Sequence, residues 1–274
     1  MTHASQAADD PPPRRDRIAQ FLRYYAAIHE APGAYGNDDA THRAAAQSLY
    51  EQSRPFIDAF AWDEIDTVLD VGCGYGFHCA DFAARGKRVT GLTVHATDQL
   101  RAHAQTHSYT LVPADMHFTD ARDAAFDLVW SSHSLEHAFS QLLALREWYR
   151  ILKPGAVLAV SVPPHKSTIV SGHFCTGWSV GQLAYMLAVA GFDLRDAYLA
   201  REGYNVRALV RRPLADFDPT GASWIDRIAD RLPAQIAAAL IEHPSSQGRL
   251  HFEGDLREIG SIDAFFRSRQ PAEA

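Results

Sequence analysis

The stretch VLDVGCGYGFHC, residues 68–79, places three glycines at alternate positions directly behind an apolar run. The apolar run predicts a buried strand, and the residues after Gly76 predict a helix. Glycines allow positive backbone torsions and the close approach of a ligand, while the first turn of a helix presents free amides. The stretch therefore predicts a strand-to-helix turn at a ligand site, with a purely structural tight turn as the alternative.

Strand-like and helical segments alternate from Asp66 to residue 212. The runs KRVTGLTV, FDLVWSS and AVLAVSV are rich in β-branched residues, and helical windows separate them. Such alternation indicates a parallel α/β sheet with right-handed crossovers. Two further strand-like runs, FDLRDAYLA and NVRALVRR, flank Gly203 and add an antiparallel edge. We therefore predict a seven-stranded, mostly parallel sheet with helices on both faces and an antiparallel last strand.

The chain divides into four segments by composition. Residues 1–13 are rich in proline and small polar residues and predict a disordered tail. Residues 14–62 contain two helical patterns, over 16–29 and 40–60, and residues 63–212 form the α/β core. Residues 213–274 predict a helical appendage without an internal repeat.

Composition limits the class of protein. A chain of 274 residues with a formal net charge of -7 suits one catalytic-size domain and argues against nucleic acid as the main partner. Three cysteines are too few for a disulfide framework, which favours reduced thiols. The first residues resemble no secretory signal, and no apolar run is long enough for a membrane-spanning helix. We expect a cytoplasmic protein.

The spacing of the glycines distinguishes between two classes of ligand. A dinucleotide loop requires Gly-x-Gly-x-x-Gly, whereas here Asp70 precedes glycines at every second position. A carboxylate at Asp70 would repel a pyrophosphate but suits a cationic amino-acid ligand. The strand over KRVTGLTV ends in Thr93 where a nicotinamide enzyme needs an acidic residue, which also argues against an oxidoreductase.

Four motifs in order, over about residues 64–212, resemble class I S-adenosylmethionine-dependent methyltransferases of the type 11, ubiquinone-biosynthesis-like group. They are VLDVGCGYG, ADMHFTDARDAAFDLVWSSHSLEH, LREWYRILKPGAVLAVSVPP and AVAGFDL. The resemblance implies a Rossmann-like fold, S-adenosylmethionine as the cofactor and methyl transfer to a small-molecule acceptor. It also implies that the helices within residues 14–62 form a lid over the cofactor.

The resemblance implies a role for each residue of the cofactor site. The glycine loop lines the methionine part with Asp70 near its amino group, Asp115 accepts a hydrogen bond from the adenine amino group, and Met116 lies beside the ring. Thr93 stands where most members hold the ribose with an acid, and Gln99 assists it, as in the similar Gly-Leu-Thr segment of cyclopropane fatty acid synthases. The implied cofactor residues are Asp70, Gly72, Gly74, Gly76, Thr93, Gln99, Asp115, Met116 and Ser131.

Transfer to a hydroxyl requires an aligned acceptor and a group that takes its proton, and histidine suits that task near neutral pH. Four histidines follow the fourth and fifth strands, where the family opens its acceptor pocket: His133, His137, His165 and His173. We predict one of them as the base and no metal. The alternative is a divalent metal on His133, Glu136 and His137, since some relatives in ubiquinone biosynthesis and small-RNA methylation bind metal through a similar Glu-x-x-Glu-His segment.

The sequence thus predicts an enzyme that methylates a hydroxyl of a sugar, glycan or secondary metabolite. Nitrogen or carbon acceptors, and a cofactor-binding protein of this fold that does not methylate, remain alternatives. Residues 213–274 either complete the lid or form a subunit contact in a homodimer.

Overall fold

The structure is a computed structural model. It describes residues 40–165, 173–175, 177–215, 228–238 and 257–268, together with positions 19–21, 23, 24 and 27, which are helical. The tail predicted over 1–13 and most of the helix predicted over 16–29 lie outside the described residues. The chain divides into two compact units, residues 1–45 and 46–274, and the sheet belongs to the second unit.

Eight strands form one sheet in the spatial order β3-β2-β1-β4-β5-β7-β6-β8. The first five strands run parallel, whereas β7 is antiparallel to both β5 and β6. The strands are β1 (Thr67–Val71), β2 (Arg88–Thr93), β3 (Thr110–Pro113), β4 (Phe126–Ser132), β5 (Leu152–Val162), β6 (Asp193–Glu202), β7 (Asn205–Arg211) and β8 (Glu258–Ile259).

Helices cover both faces of the sheet. They are α1 (Ala40–Asp58), α2 (Phe77–Ala84), α3 (Asp98–His107), α4 (Gln141–Ile151), α5 (Val180–Val189), α6 (Ala234–Ala238) and α7 (Ile262–Arg267), with 3₁₀ turns at Trp62–Glu64 and Leu135–His137. Successive strand residues point to opposite faces, so one core includes Leu69 with Trp148 of α4, and the other includes Val68 with Phe82 of α2. This two-sided burial explains the nearly continuous apolar runs of the parallel strands.

The strand order reverses between β1 and β4. β1 lies between β2, which follows it in sequence, and β4, which belongs to the other half of the sheet. In open α/β sheets, ligands bind outside the carboxyl ends of the strands at such a switch point. The glycine loop that follows β1 and the histidine segment that follows β4 therefore meet at this edge.

The predicted fold class is confirmed, and the sheet has one strand more than predicted. The additional strand is β8, which pairs antiparallel with β6 through Leu199 and Ile259. It lies in the segment 213–274 that the sequence predicts as a helical appendage. A strand of two residues is too short to show apolar alternation, so the sequence does not predict that it pairs with the sheet.

Candidate functional site

The glycine loop between β1 and α2 has left-handed torsions at Gly72, Gly74 and Gly76, with φ of 73°, 51° and 80°. A Cβ on Gly72 would lie 2.5 Å from the Cβ of Ser134, and a Cβ on Gly76 would overlap the hydroxyl of Tyr109. At Gly74, only the carbonyl oxygen of Gly72 lies within 4 Å, at 3.9 Å. Two glycines therefore allow close internal packing, while the third leaves the backbone open to a ligand.

Asp70 is buried at the end of β1, beside two cysteines. The Cys79 thiol donates a hydrogen bond to its Oδ2 at 3.2 Å. Burial raises the pKa of Asp70 to about 7, and the hydrogen bond from Cys79 opposes that shift. The sulfurs of Cys73 and Cys79 also lie close to Gly91 of β2, where a Cβ would be 3.0 and 2.8 Å from them. The contact seen at Asp70 is thus with a thiol, and its desolvated carboxylate is suited to attract a cation.

Ser131 and Ser134 attach the end of β4 to the glycine loop. Their hydroxyls lie 2.7 Å apart, and Ser134 Oγ donates to the carbonyl of Val71 at 2.8 Å. Both serines are buried. Ser131 therefore lies behind the loop that it supports, and its implied contact with the cofactor stays a prediction.

Thr93 and Gln99, the residues implied for the ribose, lie on different elements. Thr93 ends β2, and its hydroxyl accepts a hydrogen bond from the backbone amide of His95 at 3.2 Å. Gln99 lies exposed in the first turn of α3, which Thr97 caps by accepting from the amide of Leu100. The structure places both residues beyond the carboxyl end of β2 without a hydrogen bond between their side chains in the described part of the chain.

Asp115 and Met116 follow β3 in a tight turn. Asp115 Oδ1 lies 2.7 Å from the backbone nitrogen of His117 and 2.5 Å from its Nδ1. Met116 packs against the core, and its carbonyl accepts a hydrogen bond from Trp148 Nε1 at 3.1 Å. His117 is a site residue that the sequence reasoning missed, because nothing in the pattern distinguishes it from the other histidines.

His133 has both ring nitrogens beside other side chains. Nε2 lies 2.8 Å from Oδ1 of Asn205, and Nδ1 lies 3.5 Å from Oε1 of Glu136. Its φ of 52° is left-handed, and its ring lies parallel to that of Tyr204 at 5.8 Å. Asn205, which also accepts from the Ser161 hydroxyl at 3.2 Å, is a second residue that the sequence reasoning missed.

The structure brings Glu136, His137 and His173 together. Each offers a ligand atom, and these atoms all lie within 4.8 Å of one another. The His137 and His173 rings meet edge to face at 4.6 Å. The amides of Phe174 and Cys175 donate to the Glu136 carbonyl at 2.9 and 3.2 Å, which fixes residues 173–175 against the 3₁₀ turn.

Glu136 and His165 differ in their surroundings. Glu136 is buried, and its Oε2 has no hydrogen-bond partner among the described residues. His165 is exposed after β5 and lies outside the group formed by Glu136, His137 and His173. The backbone of His165 pairs with the carbonyl of Trp178 at 3.0 Å. Of the four predicted histidines, His137 and His173 thus share one site with Glu136, His133 borders that site, and His165 lies outside it.

His78, in the first turn of α2, is a further histidine near this edge, and it is half-buried. Burial lowers its pKa to about 3, and the nearby charges of His133 and Arg207 contribute to the shift. Its ring lies 5.0 Å from that of Trp130. His78 is therefore neutral at physiological pH and suits a packing role.

None of the helices in the described part of the chain is both long and apolar enough to cross a bilayer.

Comparison with known proteins places residues 69–160 in a family described as "Methyltransferase domain". The malonyl-[acyl-carrier protein] O-methyltransferase of Erwinia pyrifoliae is 30% identical over 138 residues, which are 50% of this chain and 49% of that protein. The chloroplastic tocopherol O-methyltransferase of Arabidopsis thaliana is 27% identical over 212 residues, or 74% of this chain and 59% of that protein. The chain spans half or less of the length of the first curated relatives that it matches.

A solved structure shares the fold. It is the 1,6-didemethyltoxoflavin-N1-methyltransferase of Burkholderia thailandensis, solved with its substrate and S-adenosylhomocysteine. It superposes with a TM-score of 0.50 and 19% identity, covering 78% of this chain and 98% of that chain. The family match, the relatives and the strand order agree with one another, and they identify residues 69–160 as a methyltransferase domain similar to those of S-adenosylmethionine-dependent enzymes.

Proposed function

We propose that the chain binds S-adenosylmethionine at the carboxyl edge of β1 and β4 and methylates an oxygen of a small-molecule acceptor. The observation that carries this proposal is that the open glycine loop follows β1, while Glu136 and His137, with His173 beside them, follow the neighbouring strand β4. A cofactor and a proton acceptor must lie side by side for this reaction. When bound, S-adenosylmethionine supplies a methyl group already activated by the sulfonium charge.

The residues present fit that cofactor. The backbone at Gly74 is open to solvent, and the buried Asp70 carboxylate, whose pKa is about 7, would be stabilised by a nearby ammonium or sulfonium charge. Asp115, after β3, provides an acceptor for an adenine amino group, with Met116 next to it. The ribose is assigned to Thr93, at the end of β2, and Gln99, in the first turn of α3.

The histidines receive different roles by their surroundings. His133 is held between Asn205 and Glu136, so its geometry suits orientation of the loop rather than proton transfer. His165 is exposed and outside the group. His137 and His173 lie beside a buried carboxylate, which stabilises an imidazolium once a proton has been accepted. We assign the base to this pair, and the acceptor hydroxyl to the space beside it.

The proposed acceptor atom is an oxygen. Both named relatives are O-methyltransferases, which supports an oxygen acceptor. A hydroxyl of a sugar, glycan or secondary metabolite is the form that we propose. The structural neighbour is named as an N-methyltransferase, so a screen of acceptors must also include compounds that accept a methyl group on nitrogen.

Calorimetric titration tests the cofactor assignment. S-adenosylmethionine and S-adenosylhomocysteine should bind to the protein, whereas NAD should not. Methyl-labelled S-adenosylmethionine with a panel of hydroxy, amino and carbon acceptors then tests transfer. Binding of NAD in place of S-adenosylmethionine would overturn the assignment, and tight cofactor binding without transfer to any acceptor would favour a protein of this fold that does not methylate.

Histidine variants test the base. His137→Asn and His173→Asn should each lower kcat while cofactor affinity stays near that of the wild type, and His165→Asn serves as the matched control. Histidine-assisted proton transfer contributes roughly 10²–10⁴-fold in rate, so the loss should fall in that range. Full turnover in both variants would exclude base catalysis by this pair.

A divalent metal bound to this group is a second candidate, because a carboxylate oxygen of the buried Glu136 lies within 4.8 Å of a ring nitrogen of each of the two histidines. Such a mixed nitrogen and carboxylate set suits zinc, iron or manganese, and a bound ion would fit an acceptor with two adjacent oxygens. Chelator-treated protein should then bind Zn²⁺ or Mn²⁺ in a titration, and Glu136→Gln should weaken that binding. Full activity of the metal-free protein would exclude a catalytic metal.

A further inference from the structure

The turn that follows β3 is fixed to α4 at two points. Trp148 Nε1 donates to the Met116 carbonyl at 3.1 Å, and Glu147 Oε1 accepts from the backbone of Thr119 at 2.8 Å. Trp148 is fully buried in the core, and the Glu147 side chain is largely buried, with 11% of it exposed. The backbone that carries Asp115 is therefore held in one place relative to α4.

His117 holds the Asp115 side chain within that turn. Its Nδ1 lies 2.5 Å from Asp115 Oδ1, and its backbone nitrogen donates to the same oxygen at 2.7 Å. The His117 ring is buried and stacks on Phe139 with centroids 4.1 Å apart. Asp115 nevertheless keeps 28% of its side chain exposed, so the carboxylate is accessible at the edge of the sheet.

The contact of His117 Nε2 indicates which tautomer of the imidazole is present. The backbone nitrogen of Ser140, a group that can only donate, lies 3.5 Å from His117 Nε2. Nε2 must then act as the acceptor, which places the ring proton on Nδ1, facing Asp115. Ser140 is also the N-cap of α4, so the start of this helix orients the imidazole. The contacts form a chain from α4 through His117 to the carboxylate.

We propose that His117 is a positioning residue that fixes the Asp115 carboxylate and so gives the site its preference for a purine with an exocyclic amino group. The inference rests on the proposed function, in which Asp115 accepts from the adenine amino group. A carboxylate free to rotate loses side-chain entropy when it is ordered by a ligand. A carboxylate already held by a buried ring has lost that freedom, and it accepts a donor from one direction.

The test compares two ligands that differ at one group. S-adenosylhomocysteine carries the 6-amino group of adenine, and S-inosylhomocysteine carries an oxo group there. Calorimetry should show that the wild type prefers the adenosyl compound. His117→Leu keeps an apolar side chain of similar bulk without the donor, and it should reduce that preference about tenfold, the scale of one hydrogen bond to a charged group.

Three further variants separate positioning from a structural role. His117→Asn keeps a side-chain N–H near the position of Nδ1 and should retain the preference, whereas His117→Gln places its amide near Nε2 and should lose it. In a double-mutant cycle, His117→Leu should add nothing to the preference already lost in Asp115→Asn. Phe118→Ala, at an exposed neighbour in the same turn, should retain the wild-type preference.

The outcomes are distinguishable. A folded His117→Leu protein that prefers S-adenosylhomocysteine as strongly as the wild type would overturn the inference. If the leucine variant does not fold, the same preference in His117→Asn and His117→Gln would also overturn it. A wild type that binds both compounds equally would overturn the inference alone. A wild type that binds neither compound would overturn the proposed function, and the inference with it.

Discussion

Gly76 and Gly86 have nearly the same backbone torsion, with φ of 80° and 77°, but different surroundings. A Cβ on Gly76 would overlap the Tyr109 hydroxyl, which is hydrogen bonded to His103 at 3.0 Å, whereas a Cβ on Gly86 would meet no atom within 4 Å. The two positions therefore separate the cost of torsional strain from that of overlap.

Alanine substitutions at these glycines should differ in their cost. Gly86→Ala should lower the free energy of unfolding by about 1 kcal/mol, because only the left-handed torsion is strained. Gly76→Ala should lose about 1–3 kcal/mol more, because Tyr109 and His103 must shift. Urea denaturation at 25 °C measures both. Equal losses would show that the packing around Gly76 adjusts freely.

Asp70 should make the stability of the protein depend on pH in an unusual direction. Its folded-state pKa of about 7 is higher than the ordinary value near 3.8, so the folded protein holds a proton that the unfolded chain releases. The stabilisation is fully present below about pH 4 and is lost as the pH rises to about 7. A shift of this size corresponds to at most about 4 kcal/mol.

The comparison with Asp70→Asn isolates this effect. The variant keeps the shape of the side chain without its charge, so between pH 5 and pH 8 its free energy of unfolding should rise relative to that of the wild type by about 2–3 kcal/mol. Urea denaturation across that range is the measurement. Asp66→Asn, at an exposed carboxylate, is the matched control and should show no such gain. Parallel pH profiles of wild type and Asp70→Asn would contradict the buried, protonated state.

The sequence predicted the conformation of some site residues but not the contacts of others, because a contact between residues far apart in the chain leaves no local signal. The torsions at Gly72, Gly74 and Gly76 were predictable because glycine spacing is a local signal. The Asn205 contact with His133 spans 72 positions in the chain and has no local signal. The position of Asp70 near an ammonium group is implied by resemblance and stays a prediction, while its contact with the Cys79 thiol joins two elements and has no signal in the sequence pattern.

Elements were predictable where they carry their own periodicity and turn chemistry. The β6–β7 hairpin was predicted from two apolar runs around Gly203, which has a φ of 56° in the turn. The short helix α7 lies in the segment predicted to be helical, whereas β8 was not predicted, because a strand of two residues carries no periodicity of its own. Phe265 and Phe266 of α7 are buried, and Arg211 of β7 lies 4.6 Å from the Phe265 ring.

Truncation of Phe265 should therefore destabilise the sheet edge. Phe265→Ala removes a fully buried ring and should lower the free energy of unfolding by about 3–5 kcal/mol. Phe118→Ala, whose ring is 48% exposed, is the matched control and should change it by less than about 1 kcal/mol. Chemical denaturation of both variants is the measurement. Equal small losses would show that α7 adds little to the stability of the fold.

The site results from the reversal of strand order between β1 and β4 in the sheet. Asp70 and Val71 of β1 pair with Trp130 and Ser131 of β4, so the glycine loop and the histidine segment must begin next to each other. α4 then fixes the turn after β3, while the start of β7 fixes His133. Residues from four separate strands thus converge, and a cofactor bound there would contact segments distributed over the whole sheet.

Ligand binding should consequently stabilise the protein as a unit. A ligand that binds only the folded state raises the free energy of unfolding by about 2.7 kcal/mol at one hundred times its Kd. S-adenosylhomocysteine at that concentration should give this increase in urea denaturation of the wild type, and NAD at the same concentration should give none. Gly76→Ala should lose most of the increase at the same ligand concentration, because its loop is displaced, whereas Gly86→Ala should keep it. An equal increase with NAD, or an undiminished one in Gly76→Ala, would place the ligand away from the glycine loop.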